Sequence, residues 1–401
     1  MVKMTKPIIV MAVVGLWLIT GLGIPVAGVS APKSLTYSVS TLAASPKDRF
    51  VGAVGGSSFL FVGYLNGTVA MMDLRTGGIA GSVALPDGNS AAHLAYYNGT
   101  LFVGTEYLHG ARDIPPYHVY AINPRTMTIT GTVSMASPYA NGFVVPIDGY
   151  LWAGDGACTL YKVDPSNLQV KGILRNAAED EMMSNGTYYW GECRNVVNVM
   201  KPGPNLPSVI ASGSLPYPDR PRGFFLNDAE VYSSGTQDCV LYSMSIQGNI
   251  VLFSNAGTLG NQSIPTRDTT MFGGLLYTYQ TGSKADSGWM ASHVFVYDHH
   301  FRIRSIVPLP GPALSSDASQ HTLFVVNSRL YFVTQSAVGY IVPPPTLNAT
   351  GGIGQSVIPS AVQGVHTIAS EGVSFMTSVG FLGPMFVLTD LVRPKSAVAE
   401  S

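Results

Sequence analysis

Eight times along the chain a tight-turn pair stands between two short apolar, aromatic-rich runs. The pairs are Gly55-Gly56, Asn98-Gly99, Asp148-Gly149, Asn185-Gly186, Asn227-Asp228, Gly273-Gly274, Asn327-Ser328 and Glu371-Gly372. Their first members are 37 to 54 residues apart, about 45 on average. A period of that length belongs to a four-stranded antiparallel unit repeated around an axis, the blade of a propeller. No other feature constrains the fold as much, because the repeat also says which residues share a face.

The second unit shows the pattern. His93 to Tyr97 reads as its inner strand, Asn98-Gly99 as the turn, and Leu101 to Gly104 as the second strand. His118 to Ile122 reads as the third strand and Thr130 to Ser134 as the outer one. Aromatic and β-branched residues fill each run, and Gly, Pro, Asn or Asp separates them. The fifth unit, Phe224 to Leu259, is the least regular. The last unit ends after Met385 to Leu388, while Leu35 to Thr41 resembles an outer strand with no unit before it. Pairing that N-terminal strand with the last unit closes the ring and removes its free edges. The expected fold is therefore all-β, an eight-bladed propeller over residues 31–393, with seven blades as the alternative and a polar tail over 394–401.

Residues 1–30 differ in kind. Lys3 and Lys6 precede an apolar run from Pro7 to about Val26, and small residues follow as far as Ala31. This order reads as a secretory signal or, if retained, a membrane-anchoring hydrophobic helix. Either implies an extracellular or cell-surface protein that meets the membrane only through this segment. Charged residues make up 11% of the chain and the formal net charge is -1. Such a surface offers no basic field for nucleic acid. Sequons at Asn66, Asn98, Asn185, Asn261 and Asn348 are candidate glycosylation sites. Asn98 and Asn185 also suit two-residue hairpin turns.

Within the first unit, the segment Tyr64 to Val83 resembles a repeat of the quinoprotein-like and YVTN-type β-propellers. An apolar strand ends in Asp73, a turn runs through Thr76-Gly77, and an outer strand follows. Asn123-Pro124-Arg125-Thr126 and Asp164-Pro165-Ser166 occupy the same turn in the next two units. The resemblance extends over roughly Phe50 to Leu391. Quinoprotein repeats carry a Trp soon after the Thr-Gly, where this chain has Ile79 and Ala80. The resemblance therefore implies the fold without a quinone cofactor, and quinone binding is kept as the alternative.

In a four-stranded blade, the connections between blades and the turns between second and third strands share one face, the channel mouth. Sorted this way, the starts of the inner strands carry Asp48 and Arg49, His93, then Glu179, Asp180 and Glu181. Asp219, Arg220 and Arg222 follow, then Arg267 and Asp268, Asp317 and His321, and finally His366. Converging ionisable groups at a concave mouth are how propellers build ligand sites. Candidate ligand-binding residues are Arg49, His93, Arg222, Arg267, Asp268, His321 and His366. Two long connections, Gly104 to Tyr117 with Glu106 and Tyr279 to Ser292 with Trp289, lie on the same face. Cys158, Cys193 and Cys239 all fall between second and third strands of consecutive units. A disulfide of neighbours, Cys158 with Cys193, leads there, ahead of free thiols and a thiolate metal site. Asp298-His299-His300 reads as a solvated turn, so no metal is expected.

The chain holds no nucleophile elbow, phosphate loop or zincin helix. The leading expectation is thus a binding or structural module that holds a surface protein, glycan or small molecule at its mouth. A secreted enzyme is the competitor, quinone-dependent or resembling tetrathionate hydrolases. There Glu179, Asp180 or Asp268 would act as general base and His93, His321 or His366 as its partner. A propeller lyase or glycan-active enzyme is a third class.

Overall fold

The computed structural model describes residues 36–344 except 46–47, 107–115, 136–140, 216–220, 228, 236–239, 260–265, 282–290 and 315–321. Its described elements are all strands. After β1 (Ser38–Ala44) comes unit 1, with β2 (Phe50–Gly55), β3 (Phe59–Tyr64), β4 (Thr68–Asp73) and β5 (Ile79–Ala84). Unit 2 holds β6 (Ser90–Tyr97), β7 (Thr100–Glu106), β8 (His118–Asn123) and β9 (Thr128–Ser134). Unit 3 holds β10 (Asn141–Ile147), β11 (Tyr150–Asp155), β12 (Leu160–Val163) and β13 (Val170–Leu174). Unit 4 holds β14 (Glu181–Ser184), β15 (Tyr189–Cys193), β16 (Val196–Lys201) and β17 (Ser208–Ser214). Unit 5 holds β18 (Pro221–Asn227), β19 (Glu230–Gly235), β20 (Val240–Gln247) and β21 (Ile250–Thr258). Unit 6 holds β22 (Thr266–Phe272), β23 (Leu275–Thr281), β24 (Ala291–Tyr297) and β25 (Ile303–Pro312). Unit 7 holds β26 (Leu323–Val326), β27 (Arg329–Val333) and β28 (Ala337–Val342).

Each unit is an antiparallel meander, and β1 supplies the fourth strand of unit 7 by pairing with β28, Ser38 opposite Val342. The hairpin turns follow from their residues. Asn98 and Gly99 have φ of 48° and 75°, the left-handed pair that lets a two-residue turn match the twist of its strands. The turns between third and outer strands share another device. Oδ1 of Asp73 accepts from the amides of Arg75 and Thr76, Asn123 from that of Arg125, and Asp164 from that of Ser166. Asp298 does the same for His300 and Arg302. The repeat read in the first three units is thus present in a fourth turn, where the sequence suggested only a solvated His pair. The His299 and His300 rings lie 3.8 Å apart, because a turn, unlike an extended strand, does not send neighbouring side chains to opposite sides.

The core explains why the second strands read as unbroken apolar runs. Both faces of each sheet are covered, so adjacent residues serve different cores. Leu60 packs toward unit 7 and Phe61 toward unit 2; Tyr189 packs toward unit 3 and Trp190 toward unit 5. One apolar cluster joins each consecutive pair of units, and another joins unit 7 to unit 1 through Phe324, Val326 and Tyr331 against Phe50, Leu60 and Met72. Inner strand β26 also meets β2 directly.

Among the described residues there are seven units, and unit 7 packs against unit 1. The eighth unit expected at Glu371-Gly372 lies outside the described residues. The closing N-terminal strand is found, but against the Asn327-Ser328 unit and over Ser38–Ala44 rather than Leu35 to Thr41. The fifth unit begins at Pro221, earlier than Phe224. Residues 1–30 and the 394–401 tail lie outside the described residues. No helix among the described residues is long and apolar enough to cross a membrane.

Candidate functional site at the propeller mouth

Every inner strand starts at the junction with the preceding unit. All seven therefore present their first residues on one face, beside the turns between second and third strands. His93 lies on β6 and is 1% exposed. Opposite it stands Gly104, which has no side chain to obstruct the ring. His93 Nε2 lies 2.9 Å from Oε2 of Glu106, the last residue of β7, and its Nδ1 is buried without a hydrogen-bond partner. The carboxylate beside His93 is therefore Glu106, not Glu179, Asp180 or Asp268 as expected. The β6–β7 register decides this, since it places both residues on one sheet.

A second histidine pair sits in the same unit. His118 Nδ1 lies 3.2 Å from Asp87 Oδ2, Thr105 Oγ1 donates to that oxygen, and the His118 amide donates to Thr105 Oγ1. Burial, and then the Asp87 charge, hold the Tyr120 hydroxyl well above its ordinary pKa. These residues went unnoticed in the sequence. Asp87, Thr105 and His118 are 13 to 31 positions apart and match no motif.

Two mouth carboxylates reach into the next unit. Glu181 of β14 accepts from the amides of Gly223 and Phe224 in β18, both at 2.7 Å. Asp268 of β22 accepts through Oδ2 from Thr322 N, Thr322 Oγ1 and Leu323 N, each at 2.9 Å, at the start of β26. Burial pushes the Asp268 carboxyl up to about 6, and these donors only partly offset it. Both acids thus clip neighbouring blades together. Buried Asp155 closes its own turn, accepting from Ala157 N, Thr159 N and the Tyr161 hydroxyl.

Between units 3 and 4, Cys158 and Cys193 form a disulfide. Glu179 packs beside it. Its amide donates to Glu192 O at 2.6 Å, its carbonyl lies against Gly142 of β10, and its Oε2 is 3.5 Å from Cys158 Sγ. Asp180 is half-buried, and Arg49 and Asp48 are exposed before β2. Arg222 and Arg267 lie on β18 and β22, and their side chains are outside the described residues, as are Cys239, Asp317, His321 and His366. Asn66 and Asn98 are exposed in turns, whereas Asn185 is half-buried with Oδ1 accepting from Thr187 N and Tyr188 N. Asn261 and Asn348 lie outside the described residues.

No protein-family description matches the chain, and no characterised protein matches it in sequence. Among solved structures, a chain from the crystal structure of a mitotic checkpoint complex is similar, with TM-score 0.50 and 13% identity. The match covers 61% of this chain and 78% of that one. At this identity the likeness bears on the fold alone, and it supports a β-propeller.

Proposed function

We propose that this chain is an exported β-propeller, of the quinoprotein-like or YVTN-type kind, that works as a binding or structural module at the cell surface. It engages a surface protein, glycan or small molecule with its mouth face. The observation that carries this reading is the engagement of Glu181 and Asp268 by backbone amides of the next blade. Acids committed in this way tie one blade to the next at the rim. The Cys158–Cys193 bridge suits an oxidising compartment. A charge-reversal pair tests the reading: exposed Arg49→Glu at the mouth and exposed Arg302→Glu on the opposite face. Immobilised protein is exposed to solubilised envelope proteins and to a glycan array. The mouth variant loses bound material and the Arg302 variant keeps it. Equal retention by both refutes the reading.

His93 and Glu106 favour a second reading, a secreted enzyme. An imidazole backed by a carboxylate at 2.9 Å is an acid–base pair in form.

A further inference from the structure

We propose that Cys158, Cys193 and Glu179 form a redox-gated site for a thiophilic divalent cation such as Zn²⁺, closed as a disulfide when oxidised and open to the ion when reduced. The two sulfurs and a Glu179 carboxylate oxygen all lie within 4.8 Å of one another. Zinc binds thiolate at about 2.3 Å and carboxylate at about 2.0–2.2 Å, so one ion spans such a triangle with small side-chain rotations. The Cα atoms of the cysteines are 5.4 Å apart, within reach of a shared ion.

The position of Glu179 is the informative part. A disulfide sulfur carries no proton, so Glu179 Oε2 gains no hydrogen bond from Cys158 Sγ at 3.5 Å. In the reduced chain the thiol donates to that carboxylate, and a cation can take the place of the proton. The backbone does not need the bridge to stay in place. Cys158 N donates to Asp155 O, Ala177 N to Cys158 O, and Glu179 N to Glu192 O, at 2.9, 2.9 and 2.6 Å. Cys193 is held by the β15–β16 ladder, opposite Val196. All three ligands therefore remain grouped after reduction.

The chemistry balances with a dithiol reductant. Its two sulfurs close to a disulfide, the Cys158–Cys193 bond breaks, and two electrons and two protons pass to the cysteines. The cation then displaces both thiol protons, and with two thiolates and the Glu179 carboxylate the three-ligand site carries a net charge of -1 and keeps a fourth position for water. The site does not rest on either functional reading, and in an oxidising compartment its resting form is the closed disulfide.

The test uses the full chain, reduced with dithiothreitol and desalted without oxygen, and Co²⁺ as the probe. Reduced protein takes up one equivalent with a thiolate-to-cobalt absorption band, Zn²⁺ displaces it, and oxidised protein shows no band. Glu179→Gln, which leaves both cysteines, weakens binding by about tenfold or more. Cys239→Ser leaves binding unchanged. No band in the reduced protein, equal affinity in Glu179→Gln, or dependence on Cys239 overturns the proposal. Circular dichroism of each reduced variant identifies any loss that comes from unfolding.

Discussion

Asp268→Asn isolates the electrostatics of the clip between units 6 and 7. Asp268 is 7% exposed, and burial raises its carboxyl from 3.8 in the open chain to about 6. A raised acid binds its proton more tightly in the fold than in the unfolded chain. Folding is therefore favoured below about pH 4, and that stability is lost as pH climbs through 6. The separation of about 2 units corresponds to about 3 kcal/mol, at 1.36 kcal/mol per unit. Asparagine keeps an acceptor for Thr322 N and Leu323 N but does not titrate. Urea unfolding, followed by the fluorescence of buried Trp152 and Trp190, should be measured from pH 3.5 to 8 for both proteins. The stability of the variant relative to the parent should climb by about 3 kcal/mol between pH 4 and 6 and then level off. A flat difference, or one of opposite slope, would mean that the three donors outweigh desolvation, and the reasoning would fail.

Two further substitutions probe the packing of the ring. Glu181→Ala leaves the Gly223 and Phe224 amides without their carboxylate and should cost about 3 kcal/mol in urea unfolding, whereas a loss under about 0.5 kcal/mol would show that the clip is dispensable. Gly63→Ala would drive a Cβ into the Ala91 carbonyl oxygen between units 1 and 2 and should cost more than about 2 kcal/mol. Gly149→Ala, at φ 80° but with open space around it, should cost only about 1 kcal/mol of backbone strain, and thermal melts that rank the two the other way would refute this reading of the interface.

Local chemistry was legible in the chain. Asn98-Gly99 announces its hairpin because few residues accept two successive positive φ angles, and Asp73, Asn123 and Asp164 mark their turns because the side chain caps its own backbone. The adjacency of Cys158 and Cys193 followed from the same period. What turn pairs do not carry is closure. Glu371-Gly372 weighs as much as Asn327-Ser328 when residues are read in sequence. Only the fit of Phe324 and Tyr331 against Phe50 and Leu60, with β1 filling the edge of β28, decides where the ring of described strands ends. The mouth divides in the same way. Repetition alone assigns Glu181, His93 and Asp268 to one face. Their partners, however, are backbone amides 42 to 55 residues away for the two acids and the end of a neighbouring strand for the histidine. A backbone amide has no residue type to be read from, so those bonds exist only once the blades are packed.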